Sequence, residues 1–374
     1  MDTGNQDQDN AAPVHANSNE SRKSLTHGIS LFGQLAPNAA AYASILAAPA
    51  LGAAAIRYGW MRLIRTGSIS ILANTPPVVH TGISFLNKFI TGNVNFLKAG
   101  LDPSIPPFLR GFLSSFLTCA YIPFIEASRT EPRVSYPWLV GTMGQLLGRG
   151  IAYPIWWSVF AASGAARPTP VESAGSAIRD HYTAEGNLLA VVLGFLIPNL
   201  AFVKTQEDSW TLTWFLHPLS MALIQKLYVV LRTRLSGPPH DTQDIRDGTH
   251  LLTLATCAVG FCYASIIHFR VMFPRIFNGQ WKNLLGLDFS IPAEGTVSLA
   301  ENVFHTLQWD AVSVFVSSLV AVLAFARNKS QAWKIAVWDL VGTLLFGTGG
   351  TLNVLWIWRE VNLKRDREAL ARQS

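Results

Sequence analysis

The sequence predicts an all-α protein, a polytopic transmembrane helical bundle with seven or eight spans. Of its 374 residues, 49% are hydrophobic and only 14% are charged, whereas a soluble domain carries about 25% charged residues. The apolar residues also gather into runs near the roughly 20 residues that a bilayer crossing requires. The 12 tryptophans and 21 phenylalanines suit interfacial belts or an apolar cavity.

Eight segments have the length and apolar character of membrane spans. The first is small and rich in alanine, the third contains Pro154 and is expected to kink there, and the fifth is interrupted by His217 and Pro218. In chain order the predicted spans are 38–58, 108–128, 136–162, 187–203, 210–231, 250–268, 307–326 and 333–358.

The remaining segments divide the chain into a membrane domain and two tails. Residues 1–28 are rich in Asn, Asp, Gln and Ser, which predicts a disordered polar tail. Residues 29–360 form the predicted membrane domain, and residues 361–374 a basic C-terminal tail. The connection over 59–107 is expected to hold interfacial segments, and the one over 270–297 a lid or a re-entrant segment.

Charge and cysteine usage exclude several classes of function. The net charge is +6, but the basic residues outside the spans fall about equally on both sides, so no orientation follows. No nucleic acid is expected as a partner. The three cysteines lie in apolar runs without metal spacing, so neither a disulfide framework nor a metal site is predicted.

Asp310 is the most unusual residue, because it lies about three turns inside a predicted membrane helix. The S-x-x-E pattern of Ser298 and Glu301 predicts where that helix begins. A carboxyl at membrane depth is costly, so it faces a cavity or a partner. Burial also favours its protonated form. Asp310 is therefore our first candidate for a catalytic acid.

Three small hydroxyl side chains share one helix face with Asp310. Thr306, Ser313 and Ser317 fall four residues before it and three and seven after it, which places them on one stripe. Their size predicts a cavity beside the carboxyl. The structural alternative for Asp310 is a polar helix–helix contact to Arg149 or Gln145.

Glu126, at the end of the second predicted span, is the second candidate acid. Its structural alternative is a salt bridge with Arg129, three residues further on. Arg149 needs a counter-charge or a hydrogen-bonding partner inside the membrane, and Glu126 and Asp310 are both candidates. If Arg149 pairs with Asp310, that carboxyl stays ionised and Glu126 becomes the better acid.

Further polar and aromatic residues are candidates for substrate binding. Gln145, Arg149 and Tyr153 are spaced four residues apart and share a face. His217 either takes part in catalysis or forms a hydrogen bond that holds two helices together. Tyr153 and Trp157, with Trp156, line either a cation-stabilising cavity or an interfacial belt. The predicted substrate-binding residues are Arg149, Gln145, Tyr153, Trp157, His217 and Trp309.

Several catalytic motifs are missing from the sequence. It has no D-D-x-x-D box, so Mg²⁺-dependent ionisation of a diphosphate is not expected, and no P-loop, Rossmann, H-E-x-x-H or G-x-S-x-G pattern. His305 and Asp310 match the H-x-x-x-x-D form of a glycerolipid acyltransferase box. Residues five apart on a helix point about 140° apart, so this pair could not easily act as one base and its orienter.

Three short strings carry a family resemblance: Phe124-Ile-Glu126-Ala-Ser-Arg129, Ile197-Pro198-Asn199 and Leu307-Gln308-Trp309-Asp310. With these strings, the length and the span layout from about residue 30, the chain resembles the fungal membrane-bound terpene cyclases of the ascofuranone type. Such cyclases occur in meroterpenoid and indole-diterpene gene clusters.

The resemblance implies a substrate, a reaction and a location. The substrate would be an apolar epoxidised prenyl chain on an aromatic or indole head group, cyclised after protonation of the epoxide. No metal or organic cofactor would be needed. An integral protein of the endoplasmic reticulum bilayer is expected, with a pathway prenyltransferase and monooxygenase as partners. The alternative is a membrane protein without chemistry, such as a small-molecule transporter of the same pathway.

Overall fold

The structure is a computed structural model that describes residues 39, 42–167, 176–239, 242–280, 286–293 and 295–373. Within these ranges the regular secondary structure is entirely helical, apart from one isolated β-bridge between Arg129 and Ile178. The all-α prediction is therefore confirmed. The tail predicted over 1–28 lies outside the described residues and stays a prediction.

Six helices form the first part of the bundle. Helix α1 contains a π-helical segment at Ala55–Trp60, and α3 lies in the connection that was expected to hold interfacial segments. The helices are α1 (42–65), α2 (Ser68–Ala73), α3 (Ser84–Ala99), α4 (Phe108–Ala127), α5 (Pro137–Leu147) and α6 (Arg149–Ala162).

Six more helices follow among the residues that the structure describes. Helices α7 and α10 also contain π-helical segments. The helices are α7 (His181–Thr205), α8 (Asp208–Phe215), α9 (His217–Ser236), α10 (Gln243–Phe277), α11 (Leu299–Phe325) and α12 (Lys329–Ala371).

Five of these helices, α4, α7, α10, α11 and α12, are long and apolar enough to cross a membrane. Helices α8 and α9 form a sixth candidate if they are one span, although they are bent by 70°. This bend lies next to Pro218, as the sequence predicted. The predicted total of seven or eight spans is not confirmed.

The third predicted span, 136–162, is broken into α5 and α6, and the break is at Gly148 rather than at Pro154. Gly148 has φ 98°, in the region that favours glycine, and a Cβ there would lie 2.5 Å from Nε1 of Trp60. Pro154 lies inside α6. As a result α6 begins in the interior of the bundle, where its first residue, Arg149, is buried.

The last predicted span, 333–358, is not one straight helix, because α12 folds back on itself at Gly347, where φ is 74°. A Cβ on Gly342 would lie 2.9 Å from Oγ1 of Thr351, whereas nine residues of straight helix cover about 13.5 Å. Arg327, before α12, also pairs with Asp366 near its end. Helix α12 is therefore a hairpin of two antiparallel arms, and the predicted basic tail is helical as far as Ala371.

Helix α4 lies at the centre of the bundle, and all but two of its residues are buried. It packs against α10, α11 and the arm of α12 that returns from Gly347, and the Thr118 hydroxyl donates to the carbonyl of Gly349 on that arm. Its contact with α6 is aromatic, between Phe116 and Tyr153. Helix α6 packs along α11, and α1 lies beside α6 against the same stripe of α11. This arrangement brings the start of α6 against the middle of α11.

Candidate functional site

Asp310 lies at the N-terminus of α6. Helix α11 begins as predicted, because the Ser298 hydroxyl accepts a hydrogen bond from the amide of Glu301 at 3.2 Å. The Asp310 side chain is 4% exposed, and its Oδ1 accepts a hydrogen bond from the amide of Gly150 at 3.0 Å. A helix N-terminus stabilises negative charge, so this position stabilises the carboxylate that remains after a proton is donated.

The space predicted beside Asp310 is filled by α1. The Thr306 hydroxyl lies 3.3 Å from the carbonyl of Gly59, and the Ser313 hydroxyl donates to the carbonyl of Leu51 at 3.0 Å. Hydroxyl groups in apolar surroundings need such partners. Thr306 and Ser313 therefore make a helix–helix contact, and Ser317 donates within α11 to the carbonyl of Val314 at 2.8 Å, so the stripe is not the wall of an open cavity.

Arg149 follows Gly148 at the start of α6, and its side chain contacts Gln145. Among the described residues its guanidinium makes no ion pair within 4.0 Å. Its Nη2 donates to Oε1 of Gln145 at 2.7 Å, and its Nε is buried without a partner. Asp310 is therefore not held in a direct ion pair with Arg149.

Aromatic rings enclose the Arg149 guanidinium. Its Cζ lies 5.0 Å from the ring centroids of both Phe116 and Trp214. Tyr153 is buried next to this cluster, with its ring edge-on to Phe116 at 5.1 Å. These faces stabilise a cation, but the cation they hold in this structure is Arg149.

Gln145 connects Arg149 to His217, which is 1% exposed. Its Nε2 lies 3.3 Å from Nδ1 of His217, and the same Nδ1 lies 2.8 Å from the carbonyl oxygen of Trp214. Nε2 of His217 is buried without a partner. The structure thus brings together three of the predicted binding residues, Gln145, Arg149 and His217.

Trp157 belongs to a different aromatic cluster. Its ring packs edge-on to Phe160 and Trp356, and the guanidinium of Arg359 lies 4.8 Å from the centroid of Trp356. This cluster already surrounds an arginine, so Trp157 is placed apart from Arg149 and Asp310.

Trp309 connects the segment 286–293 to the helices. Its ring stacks on Tyr58 at 4.9 Å and lies edge-on to Phe289 at 5.1 Å, and its Nε1 donates to the carbonyl of Asp288 at 3.1 Å. The Asp288 carboxylate accepts from Arg62 at 2.6 Å. Burial opposes ionisation of Asp288, but hydrogen bonds from Arg62 and Ser290 outweigh it and lower its pKa to about 2.

Glu126 is part of a buried ionic network. It accepts from Arg129 at 2.9 Å and from Arg359 at 3.1 Å, and both arginines also contact Glu360. The sequence predicted the pair with Arg129 but missed Arg359 and Glu360. The adjacent opposite charges at the end of an apolar run were a signal for them. Two arginines balance two carboxylates, so Glu126 is committed to charge pairing.

His305 and Asp310 do not act as a pair. Nδ1 of His305 lies 2.9 Å from Oε1 of Gln308, on a different side of α11 from the Asp310–Gly150 contact. The acyltransferase hypothesis therefore has no geometric support.

One cavity of about 690 Å³ opens at the end of the bundle where α7 and α10 begin and α12 ends. Charged residues such as Arg179, Lys364 and Glu368 line it, whereas Asp310, Arg149 and His217 do not. Among the described residues, no group of three or more His, Cys, Asp or Glu side chains could hold a metal ion.

Comparison with known proteins identifies one family. The CtvD domain matches residues 59–363, a range that contains all of the candidate site residues. No curated protein and no solved structure matches the chain. The match covers most of the sequence, and the chain therefore belongs to the CtvD domain family, a terpene cyclase-type family.

Proposed function

We propose that this chain is a membrane terpene cyclase in which Asp310 protonates the epoxide of a prenyl chain attached to an aromatic or indole head group. The observation that carries the proposal is the position of Asp310. Within the residues that match the family, this carboxyl is buried among apolar helices against the N-terminus of α6.

Two carboxyls compete for the role of acid, and their surroundings differ. Glu126 is bound to two arginines, which stabilise its ionised form. Asp310 makes no direct ion pair among the described residues, so a proton can reside on it. Protonating a weakly basic epoxide requires a stable conjugate base. The Gly150 amide and the α6 N-terminus supply that stabilisation.

The reaction balances without an oxidant or a reductant. The proton moves from Asp310 to the epoxide oxygen, the carbon–oxygen bond breaks, and the π electrons of an alkene form a new carbon–carbon bond. The resulting cation loses a proton, or a hydroxyl group captures it and loses its own proton. That proton restores Asp310, so the net change is an isomerisation. Apolar walls exclude the water that would trap the cation early.

Helix α1 controls access to Asp310 in this proposal. Gly59 lies against Thr306, and Ala55 against Gly150, so α1 closes the site. The opposite face of α1 exposes apolar side chains such as Leu46 and Ile64, which suit contact with lipid. We propose that an apolar substrate enters from the bilayer by displacing α1.

The test is expression in a host that lacks the pathway, with a prenylated aromatic epoxide supplied. Wild type is expected to yield a cyclised product, and Asp310→Asn to yield none while still accumulating in membranes. Asp244→Asn, which alters an exposed aspartate at the start of α10, is the matched control and is expected to retain turnover.

Other outcomes would change the assignment. Undiminished turnover by Asp310→Asn would remove this residue as the acid. If wild-type membranes leave the epoxide intact for several head groups but accumulate it in vesicles, the transporter hypothesis replaces the cyclase.

A further inference from the structure

Two buried side chains that meet at Gln145, those of Arg149 and His217, have atoms without hydrogen-bonding partners. Nε of Arg149 and Nε2 of His217 are both unpaired, although Arg149 is 4% exposed and His217 1%. Native proteins pair almost all such atoms, so each exception needs an explanation, and a bound ligand is one. Gln145 contacts both side chains, so the two unpaired atoms belong to one cluster.

The charge of Arg149 also lacks a dedicated counter-ion. Asp310 acts on it through space, but the two groups form no ion pair within 4.0 Å. If Asp310 is the proton donor, as proposed above, it is neutral before the reaction and cannot balance Arg149 at that stage. A bound ligand can supply the missing acceptor.

The contacts of His217 determine whether its unpaired nitrogen, Nε2, donates or accepts a hydrogen bond. Nδ1 lies 2.8 Å from the carbonyl oxygen of Trp214, which only accepts hydrogen bonds, and 3.3 Å from Nε2 of Gln145, which only donates them. Only one of these contacts can be a hydrogen bond, and the shorter one, to Trp214, has the better distance. Nδ1 therefore carries the proton, and Nε2 of the neutral ring is an acceptor. The cluster thus offers a donor on Arg149 and an acceptor on His217.

We propose that this cluster binds a hydroxyl group on the ring of the substrate head group. The hydroxyl oxygen accepts from Nε of Arg149, and the hydroxyl proton is donated to Nε2 of His217. This inference rests on the proposed cyclase function and narrows its substrate to phenolic or enolic head groups. An unsubstituted indole offers a single N–H donor and no acceptor in its ring plane, which leaves the Arg149 donor unpaired.

The surrounding rings are consistent with an aromatic head group. Phe116 and Trp214 flank the guanidinium of Arg149 at 5.0 Å and present apolar faces. The cation of Arg149 disfavours a second positive charge in contact with it. The head group would therefore lie at Arg149, and the reacting end of the prenyl chain would extend away from the guanidinium.

The first experiment compares three epoxides with the same prenyl chain: a phenol, its O-methyl ether and an indole. For wild type we expect kcat/KM for the phenol to exceed the other two by about 10- to 100-fold, the effect of a hydrogen bond to a charged group. Arg149→Met is expected to remove this preference by reducing phenol turnover alone. Arg110→Met, which alters an exposed arginine of α4, is the matched control and should keep the preference.

The second experiment needs no cyclisation. The prenylated phenol without an epoxide is added to purified protein in nanodiscs, and the Tm is measured. We expect the phenol to raise the Tm of wild type and Arg110→Met but not of Arg149→Met, and the O-methyl ether to raise the Tm of wild type and Arg110→Met by less than the phenol does.

The two experiments separate this inference from the proposed function. One outcome is that the phenol raises the Tm of wild type but not of Arg149→Met while no epoxide is turned over. That result would support the binding site and contradict the cyclase function. Equal turnover of phenol and indole by wild type would overturn the binding site and leave the cyclase intact. A phenol preference that survives in Arg149→Met would also overturn it.

Discussion

Arg149 and Arg359 are both buried and both enclosed by aromatic rings, but their polar partners differ. The guanidinium of Arg359 donates to Glu126, to Glu360 and to the carbonyls of Ala165 and Ala166. The guanidinium of Arg149 makes one hydrogen bond among the described residues, to Gln145.

The difference shows which features indicate a binding site in this protein. Aromatic enclosure does not, because both arginines have it. Unpaired indole N–H groups do not either, since Trp214 lies beside one arginine and Trp356 beside the other. What differs is the pairing of the charge, which is complete at Arg359 and incomplete at Arg149. We therefore interpret Arg359 as holding helices together and Arg149 as available to a ligand.

The largest expected effect is that of Arg359→Met on the free energy of unfolding. Replacing Arg359 leaves two buried carboxylates with only Arg129, and breaking a buried ion pair from one side costs about 3–5 kcal/mol. We expect a loss of that size in the free energy of unfolding, measured by denaturant titration in detergent micelles. Arg110→Met serves as the control. Stability equal to wild type would contradict the structural role of Arg359.

A smaller loss is expected from Gly148→Ala. Alanine must adopt a positive φ, which costs about 1–3 kcal/mol, and its Cβ would lie 2.5 Å from Nε1 of Trp60. Gly52→Ala is the control, because a Cβ there meets no atom within 4 Å. Because Gly148 sets the start of α6, the same variant should also impair turnover. If Gly148→Ala is as stable as wild type and Gly52→Ala, the break between α5 and α6 does not require glycine.

Arg149→Met is expected to change the free energy of unfolding by less than about 1 kcal/mol, or to increase it. Replacing an incompletely paired buried charge by an apolar side chain removes a desolvation penalty. The same denaturant titration applies, with Arg359→Met measured in parallel. A loss as large as that of Arg359→Met would remove the distinction between the two arginines.

The last prediction concerns the pH dependence of another buried arginine's ion pair, that of Arg62 with Asp288. The pKa of Asp288 is lowered to about 2, from about 4 in an unfolded chain. Its contribution to stability is therefore fully present above about pH 4 and is lost as the pH falls towards 2. We expect the Tm difference between wild type and Asp288→Asn to be constant from pH 7 to 5 and to shrink below pH 4. A decline already between pH 7 and 5 would contradict the ion pair.

Local sequence was sufficient for several parts of the site. The cap at Ser298, the depth of Asp310 in α11 and the Glu126–Arg129 pair all depend on residues within a few turns of one another. Gln145 and Arg149 also meet, but they do so across the break at Gly148 and not on one helix face. Helical periodicity determines such neighbours directly. The family resemblance also came from local strings, and the match to the CtvD family supports it at the level of a terpene cyclase-type family.

The sequence by itself thus determined that this is an apolar, all-helical chain with costly polar residues at particular depths. The tertiary structure decided what each of those residues meets. Arg359 reaches Glu126 only because α12 turns back at Gly347, and Asp310 meets the amide of Gly150 only because Gly148 ends α5 inside the bundle. These contacts join residues more than a hundred positions apart. They depend on two glycine backbone conformations and on how helices pack, neither of which helical spacing determines.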